Sequence, residues 1–79
     1  MNKSPVVKKE ISIGSMQMNF HNAIDEIMAG RKVTKLEWKS SSYYGVLDDG
    51  ILRIHKPDGK LYDWILSDGD IAGKDYIVI

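Results

Sequence analysis

Apolar and polar positions alternate along this chain with two different periods. Phe20, Ala23, Ile24, Ile27 and Met28 recur at i, i+3, i+4, i+7 and i+8, the single stripe of an amphipathic helix. The spacing predicts a helix over Phe20–Ala29. Asn19 stands at the N-cap position, Met18 and Ala23 occupy the two positions of a hydrophobic staple, and Gly30 falls where a left-handed residue closes a helix. His21, Asn22, Asp25 and Glu26 lie on the opposite, solvated side. About ten residues make a marginal helix alone, so the stripe must pack on a partner.

Beyond Gly30 the pattern changes to short β-prone runs. Lys32–Leu36, Tyr43–Leu47, Ile51–His55, Leu61–Leu66 and Tyr76–Ile79 read as strands. Asp48-Asp49-Gly50 and Pro57-Asp58-Gly59 separate the middle three and carry hairpin and turn chemistry. Tight turns make that trio an antiparallel meander. Ser67-Asp68-Gly69-Asp70 leads into a brief helical turn. Val6–Ile13 alternates as well, and reads as a further strand or as an arm ordered against a second subunit. Residues 1–17 are thus an N-terminal strand or arm, and residues 18–79 a single domain. The class is α+β, one helix on an antiparallel meander of four to six strands. Ile54, Ile65 and Ile77, with Leu52, Leu66 and Val78 on alternate positions, place apolar groups on both faces of several strands, the pattern of strands buried twice.

Size sharpens that point. A 79-residue chain buries only roughly 60% of its unfolded surface. It has no cysteine, so disulfides, thiolate chemistry and cysteine-held metals are excluded. Self-association is the remaining way to enlarge the core, and a homo-oligomer is expected.

Eleven basic residues balance eleven acidic ones, which argues against a dedicated DNA or RNA binder. No apolar run is long enough to span a membrane, and residues 1–5 lack the apolar core of a secretory signal. The balance is uneven along the chain, however. Residues 1–39 hold seven bases and four acids, and residues 40–79 the reverse. Internal complementarity accounts for this, or else a basic surface around Arg31–Lys39 that meets an anionic small ligand.

Enzyme constellations are poor. His21 and His55 have no nucleophile or metal spacing, the Asp pairs at 48–49 and 68/70 sit in turns, and Ser40-Ser41-Ser42 is a loop. No Gly-rich phosphate cradle is present. Aromatic and basic residues remain. Trp38, Tyr43 and Tyr44 near Arg31, Lys32, Lys35 and Lys39 suit a ligand with a base to stack and phosphates to neutralise. The alternative is that Trp38 and Trp64 simply fill a small core.

The motifs Met18-Asn19-Phe20, Ala23-Ile24, Gly30-Arg31-Lys32-Val33-Thr34-Lys35, Trp38, Trp64, Asp70-Ile71 and Asp75-Tyr76-Ile77-Val78 together resemble a family of short phage and prophage proteins, the second type of Thoeris anti-defence protein. The resemblance covers about residues 18–79. It implies a non-enzymatic sponge, acting in the cytoplasm of the infected bacterium, that needs no cofactor. Its ligand would be the cyclic ADP-ribose-type signal made by a bacterial TIR-domain sensor, with cyclic dinucleotides taken up by some relatives. It also implies a homotetramer with pockets between subunits. Motif support falls on Trp38, Lys35 and Asp70. Residue type and position add Tyr43 or Tyr44 for stacking and Arg31 and Arg53, with Lys35, for phosphate; Asp70 is the expected ribose-hydroxyl acceptor. The chain departs from the family pattern at Lys35, where arginine is usual, at Leu36-Glu37, at Gly73, where alanine is common, and at Tyr76, where tryptophan is usual. A protein-interaction module, and after it a small nucleotide hydrolase, are the rival readings.

Overall fold

The computed structural model describes residues 17–79. The amphipathic stripe forms α1 (Phe20–Met28). Asn19 caps it, its side chain accepting the Asn22 N–H at 2.9 Å. At the other end Ala29 is the C-cap, one residue short of the predicted boundary. Gly30 follows with φ +93°. Its N–H reaches the Ile27 carbonyl at 2.9 Å, and that of Arg31 reaches Glu26 at 3.1 Å. These paired bonds are a Schellman closure, which requires the left-handed residue that glycine supplies. Ala23 and Ile27 are fully buried. Burial of an Ile side chain contributes about 2–3 kcal/mol, which holds a nine-residue helix that propensity alone would not.

Five strands follow: β1 (Val33–Lys35), β2 (Tyr44–Asp48), β3 (Ile51–His55), β4 (Leu61–Asp63) and β5 (Tyr76–Val78), with α2 (Asp68–Ala72) between the last two. The sheet order is β4-β3-β2-β1-β5. Every pairing is antiparallel. The expected meander is therefore present as β2–β3–β4, extended on one side by β1, and β5 returns to the outer edge of β1. At the β2–β3 hairpin both central residues have positive φ, Asp49 at 53° and Gly50 at 78°, the signature of the I′ turn that matches strand twist. Ser67 caps α2 through a capping box with Asp70. Met18 bridges to Tyr76 on the free side of β5. The strand or arm predicted over Val6–Ile13 lies outside the described residues.

Residues paired across strands share a face, so the register sorts the sheet into two sides. Val33, Gly45 and Ile54 stand in one row. Val33 and Ile54 join Ala23, Ile27, Trp64 and Tyr76 in the core. Both helices lie on this side, α1 against β1, β2 and β5, and α2 against α1. The opposite face carries Tyr44–His55–Leu61 and Val46–Arg53–Asp63, and neither helix packs on it. The apolar alternation expected on both faces holds only at Ile77 and Val78: Leu52 and Ile54 share the core face, and Ile65 and Leu66 lie beyond β4. Among the described residues only one face of the sheet is covered. No helix among the described residues is long and apolar enough to cross a membrane.

The predicted strand Leu61–Leu66 ends at Asp63, so Trp64 lies just beyond β4 rather than within it. Its N–H still reaches the Leu52 carbonyl at 3.2 Å. The indole then lies over the backbone of Gly45. A Cβ added to Gly45 would meet Trp64 Cε3 at 2.9 Å and Ile27 Cδ1 at 3.2 Å, with Trp64 Cζ3 closer still. Gly45→Ala is therefore expected to lower the urea midpoint by the equivalent of about 1–3 kcal/mol, the cost of overpacking a core. An unchanged midpoint would show that the indole has room to move.

Candidate functional site

After β1 the chain winds through a single 3-10 turn, Leu36–Trp38. Lys39 closes it in the left-handed conformation with φ 55°, its N–H bonded to the Leu36 carbonyl at 3.0 Å. The serine loop returns to Tyr43, whose carbonyl accepts the Thr34 hydroxyl at 2.6 Å. This path stacks Trp38 on Tyr43, with ring centroids 4.3 Å apart and planes at 16°. Trp64 meets Trp38 edge-on at 6.0 Å and 64°. Offset and edge-on arrangements are the favoured geometries of aromatic pairs.

The three rings wall a cavity of about 270 Å³, with Ile54 and Ile65 as its aliphatic lining and Lys56, Asp63 and Asp70 as its charged groups. Asp70 is held firmly. Its Oδ2 accepts the Ser67 N–H at 3.0 Å and Trp64 Nε1–H at 3.3 Å. The Asp70 carbonyl accepts the Tyr76 hydroxyl at 2.6 Å. Burial, then the carboxylates of Asp70, Asp75 and Glu37, push the Tyr76 phenol above its usual range, so it stays a neutral donor. Asp70 Oδ1 takes no hydrogen bond among the described residues and remains available as an acceptor. A second groove of about 300 Å³, lined by Thr34, Lys39, Ser40, Ile77 and their neighbours, has no aromatic wall.

The structure thus brings Trp38, Tyr43 and Asp70 together. It does not bring the other predicted residues to them. Tyr44 is on the uncovered face, stacked on His55 at 4.5 Å and 5° with Lys32 Nζ 5.0 Å from its ring. Adjacent strand residues point to opposite sides, so only one of the two tyrosines could reach this cavity. Arg31 pairs with Glu26 at 3.1 Å beside the helix end. Arg53 stands in the uncovered row and pairs with Asp63 at 2.6 Å and Asp48 at 3.8 Å. Lys35 departs furthest from expectation. It is 3% exposed, its ammonium lies 3.5 Å from Glu37 and 3.7 Å from Asp75 and 5.2 Å from the centre of the Tyr76 ring. A cation so enclosed is a strut joining β1 to β5, not a free phosphate partner. The basic surface around Arg31–Lys39 is also weaker than the half-chain count suggests. Two of the three surplus positive charges lie within residues 1–16, from Lys3, Lys8 and Lys9 against Glu10.

Five lining residues, Ile54, Lys56, Asp63, Trp64 and Ile65, escaped sequence reasoning about the site, the two isoleucines because apolar strand-region residues read as core. Trp64 was weighed as a core residue, and it is one, 8% exposed, with an edge that also forms the wall. Lys56 and Asp63 sit in a turn and at a strand end, where charged residues are ordinary, and no spacing singles them out. No protein-family model matches this chain, and no curated protein matches it.

Two measurements follow from the Lys35 arrangement. Lys35→Met should leave stability within about 1 kcal/mol, because the buried ion is replaced by an apolar side chain of similar length while the carboxylates left behind, Glu37 and Asp75, reach solvent and avoid the cost of an unpaired buried charge. Asp75→Ala should cost more, roughly 3 kcal/mol, because the ammonium stays buried with a weaker set of partners. Urea denaturation of both variants reads the difference, and the reverse order would show that Lys35 is not a buried strut.

Proposed function

We propose that this chain is a phage anti-defence protein of the second Thoeris type. It binds a cyclic ADP-ribose-type nucleotide and holds it without cleaving it, so the host effector is starved of its activator. The reading rests on the motif resemblance over residues 18–79. One structural observation favours it over its rivals: a single cavity assembles the aromatic pair Trp38–Tyr43, the edge of Trp64 and a carboxylate oxygen of Asp70 that takes no hydrogen bond among the described residues. In this reading the base lies against the Trp38–Tyr43 wall, and a ribose hydroxyl donates to Asp70 Oδ1.

Sequestration requires affinity rather than turnover. A nanomolar complex corresponds to about −12 kcal/mol. Rings already stacked on one another and a carboxylate already fixed by the α2 capping box lose little freedom on binding, which is how a small site reaches such affinity. Cyclic dinucleotides present the same bases, riboses and phosphates and fall within the same chemistry. The protein acts in the cytoplasm of the infected cell, where the signal is made.

Self-association belongs to the same proposal. Among the described residues the core has only six buried apolar side chains and one sheet face is uncovered, and Ile65, at 82% exposed, lies on the wall of the cavity itself. An assembly of four subunits is expected to cover such surfaces.

Incubation of purified protein with the cyclic signal, followed by heating, should release the nucleotide intact. Release of a cleaved product would replace the sponge with a hydrolase, and the lack of any binding at micromolar ligand would leave an interaction module. Trp38→Ala should abolish capture while the sedimentation coefficient of the assembly stays unchanged; undiminished capture would remove the aromatic wall from the site. A monomeric mass for the wild type would overturn the oligomer.

A further inference from the structure

We infer that Lys56 is the anion contact of the aromatic cavity, and that Tyr62 and Asp58 hold it in place. The inference rests on the nucleotide reading above and deepens it, since that reading leaves the phosphate without a partner. The three cations expected to supply one are each engaged with carboxylates: Arg31 with Glu26, Lys35 with Glu37 and Asp75, Arg53 with Asp63 and Asp48. Among the described residues, Lys56 is the one cation lining the cavity. It takes part in none of the ion pairs among the described residues.

Its position is built rather than incidental. Lys56 opens the β3–β4 turn, its N–H bonded to the Lys60 carbonyl at 3.1 Å and its carbonyl accepting the Gly59 N–H at 2.8 Å. Gly59 carries a φ of +86°, which a side chain would resist. Asp58 accepts the Lys60 N–H at 2.9 Å and the Tyr62 hydroxyl. The ring of Tyr62, anchored in this way, lies under the Lys56 ammonium with Nζ 4.7 Å from its centroid. A ring face attracts a cation without neutralising it, so the ammonium is steered yet keeps its charge for a ligand. The Tyr62 bond, then that of Lys60, hold the Asp58 carboxyl below its ordinary range, and the same bond raises the Tyr62 phenol. Asp58 is therefore charged and Tyr62 protonated at neutral pH, and the clamp is intact there.

Within the cavity this divides the ligand by chemistry. The aromatic wall takes a base, Asp70 takes a hydroxyl, and Lys56 takes a phosphate oxygen. Asp63 also borders the cavity, but its carboxylate belongs to the row on the opposite face, paired with Arg53 at 2.6 Å, so it does not repel that phosphate strongly. The class of ligand is a nucleotide carrying phosphate, in preference to a nucleoside.

Both tryptophans of the chain line this cavity, so their fluorescence reports occupancy, and calorimetry supplies an independent affinity. The probes are ADP-ribose, AMP and adenosine, titrated into the full chain at low and moderate salt. Lys56→Ala should weaken ADP-ribose and AMP tenfold or more, the scale of a lost hydrogen bond to a charged group, and should flatten their salt dependence. Adenosine should bind it as it binds the wild type. Lys56→Arg should restore most of the phosphate preference. Tyr62→Phe keeps the ring and should lose less than Tyr62→Leu, which removes the cation's support. Undiminished phosphate binding by Lys56→Ala, or an equal loss for adenosine, overturns the Lys56 assignment and leaves the nucleotide reading standing. A wild type that binds none of the probes, nor the cyclic signal, overturns both.

Discussion

The contact on which the rest of this structure depends is the seating of the Trp64 indole on Gly45. It ties together elements from distant parts of the chain. The ring and Ile27 of the helix both close on the space a side chain at Gly45 would occupy, and the ring meets Trp38 of the 3-10 turn edge-on and donates to Asp70 of α2. Asp70 in turn closes the α2 cap and receives the Tyr76 hydroxyl through its carbonyl. Helix, central strand, short helix and edge strand therefore share one aromatic hub. In a core of six buried apolar residues, interdigitation has to substitute for volume, and an indole offers the most contact per residue.

That hub explains why core and site coincide. A larger protein can place its binding residues on loops carried by an independent scaffold. Here the wall of the cavity is the outer edge of the core itself, so the choice between Trp64 as a packing residue and Trp64 as a site residue is not a real one. The indole rigidifies the cavity because the fold needs it where it is. Preorganisation is then a by-product of stability, at the cost of coupling the two: a change that loosens the hub also loosens the site.

The parts of this arrangement that were legible in the sequence are those set by local chemistry. The helix, with Asn19 and Gly30 at its ends, follows from a 3.6-residue stripe and two terminal residues whose preferences act within one turn. The I′ hairpin at Asp49-Gly50 and the helical turn after Ser67 are equally local. Trp38 and Asp70, singled out through the motifs they sit in, both line the cavity. What was not legible depends on partners far away in the chain. A lysine in a short strand reads as solvent-facing, yet β1 lies between β2 and β5, and the carboxylate that meets Lys35 across β5 is forty positions on, at Asp75. Arg53 could not be assigned to a face without the register that sets it opposite Asp63. Lys56 gave no signal, because a turn lysine is ordinary until the ring of Tyr62 is placed beneath it.

The same long-range view changes the meaning of the positions at which the chain differs from the family it resembles. Lys35, Gly73 and Tyr76 are scattered in sequence and meet at one point in space. The Lys35 ammonium lies 5.2 Å from the Tyr76 ring centre, and a Cβ on Gly73 would come within 2.9 Å of that ammonium and 3.1 Å of Tyr76 Cε2. A residue without a side chain at 73 makes room for the lysine, while the smaller phenol, in place of an indole, still offers it a ring face and sends its hydroxyl to Asp70. Neighbouring substitutions are the ones expected to be coupled energetically. Taken separately, each puts ligand preference in question. Taken as one repacked cluster on the β1–β5 side, they leave the aromatic wall and Lys56 untouched, and under the proposed nucleotide reading the specificity of the cavity would turn instead on the β3–β4 turn at its other margin.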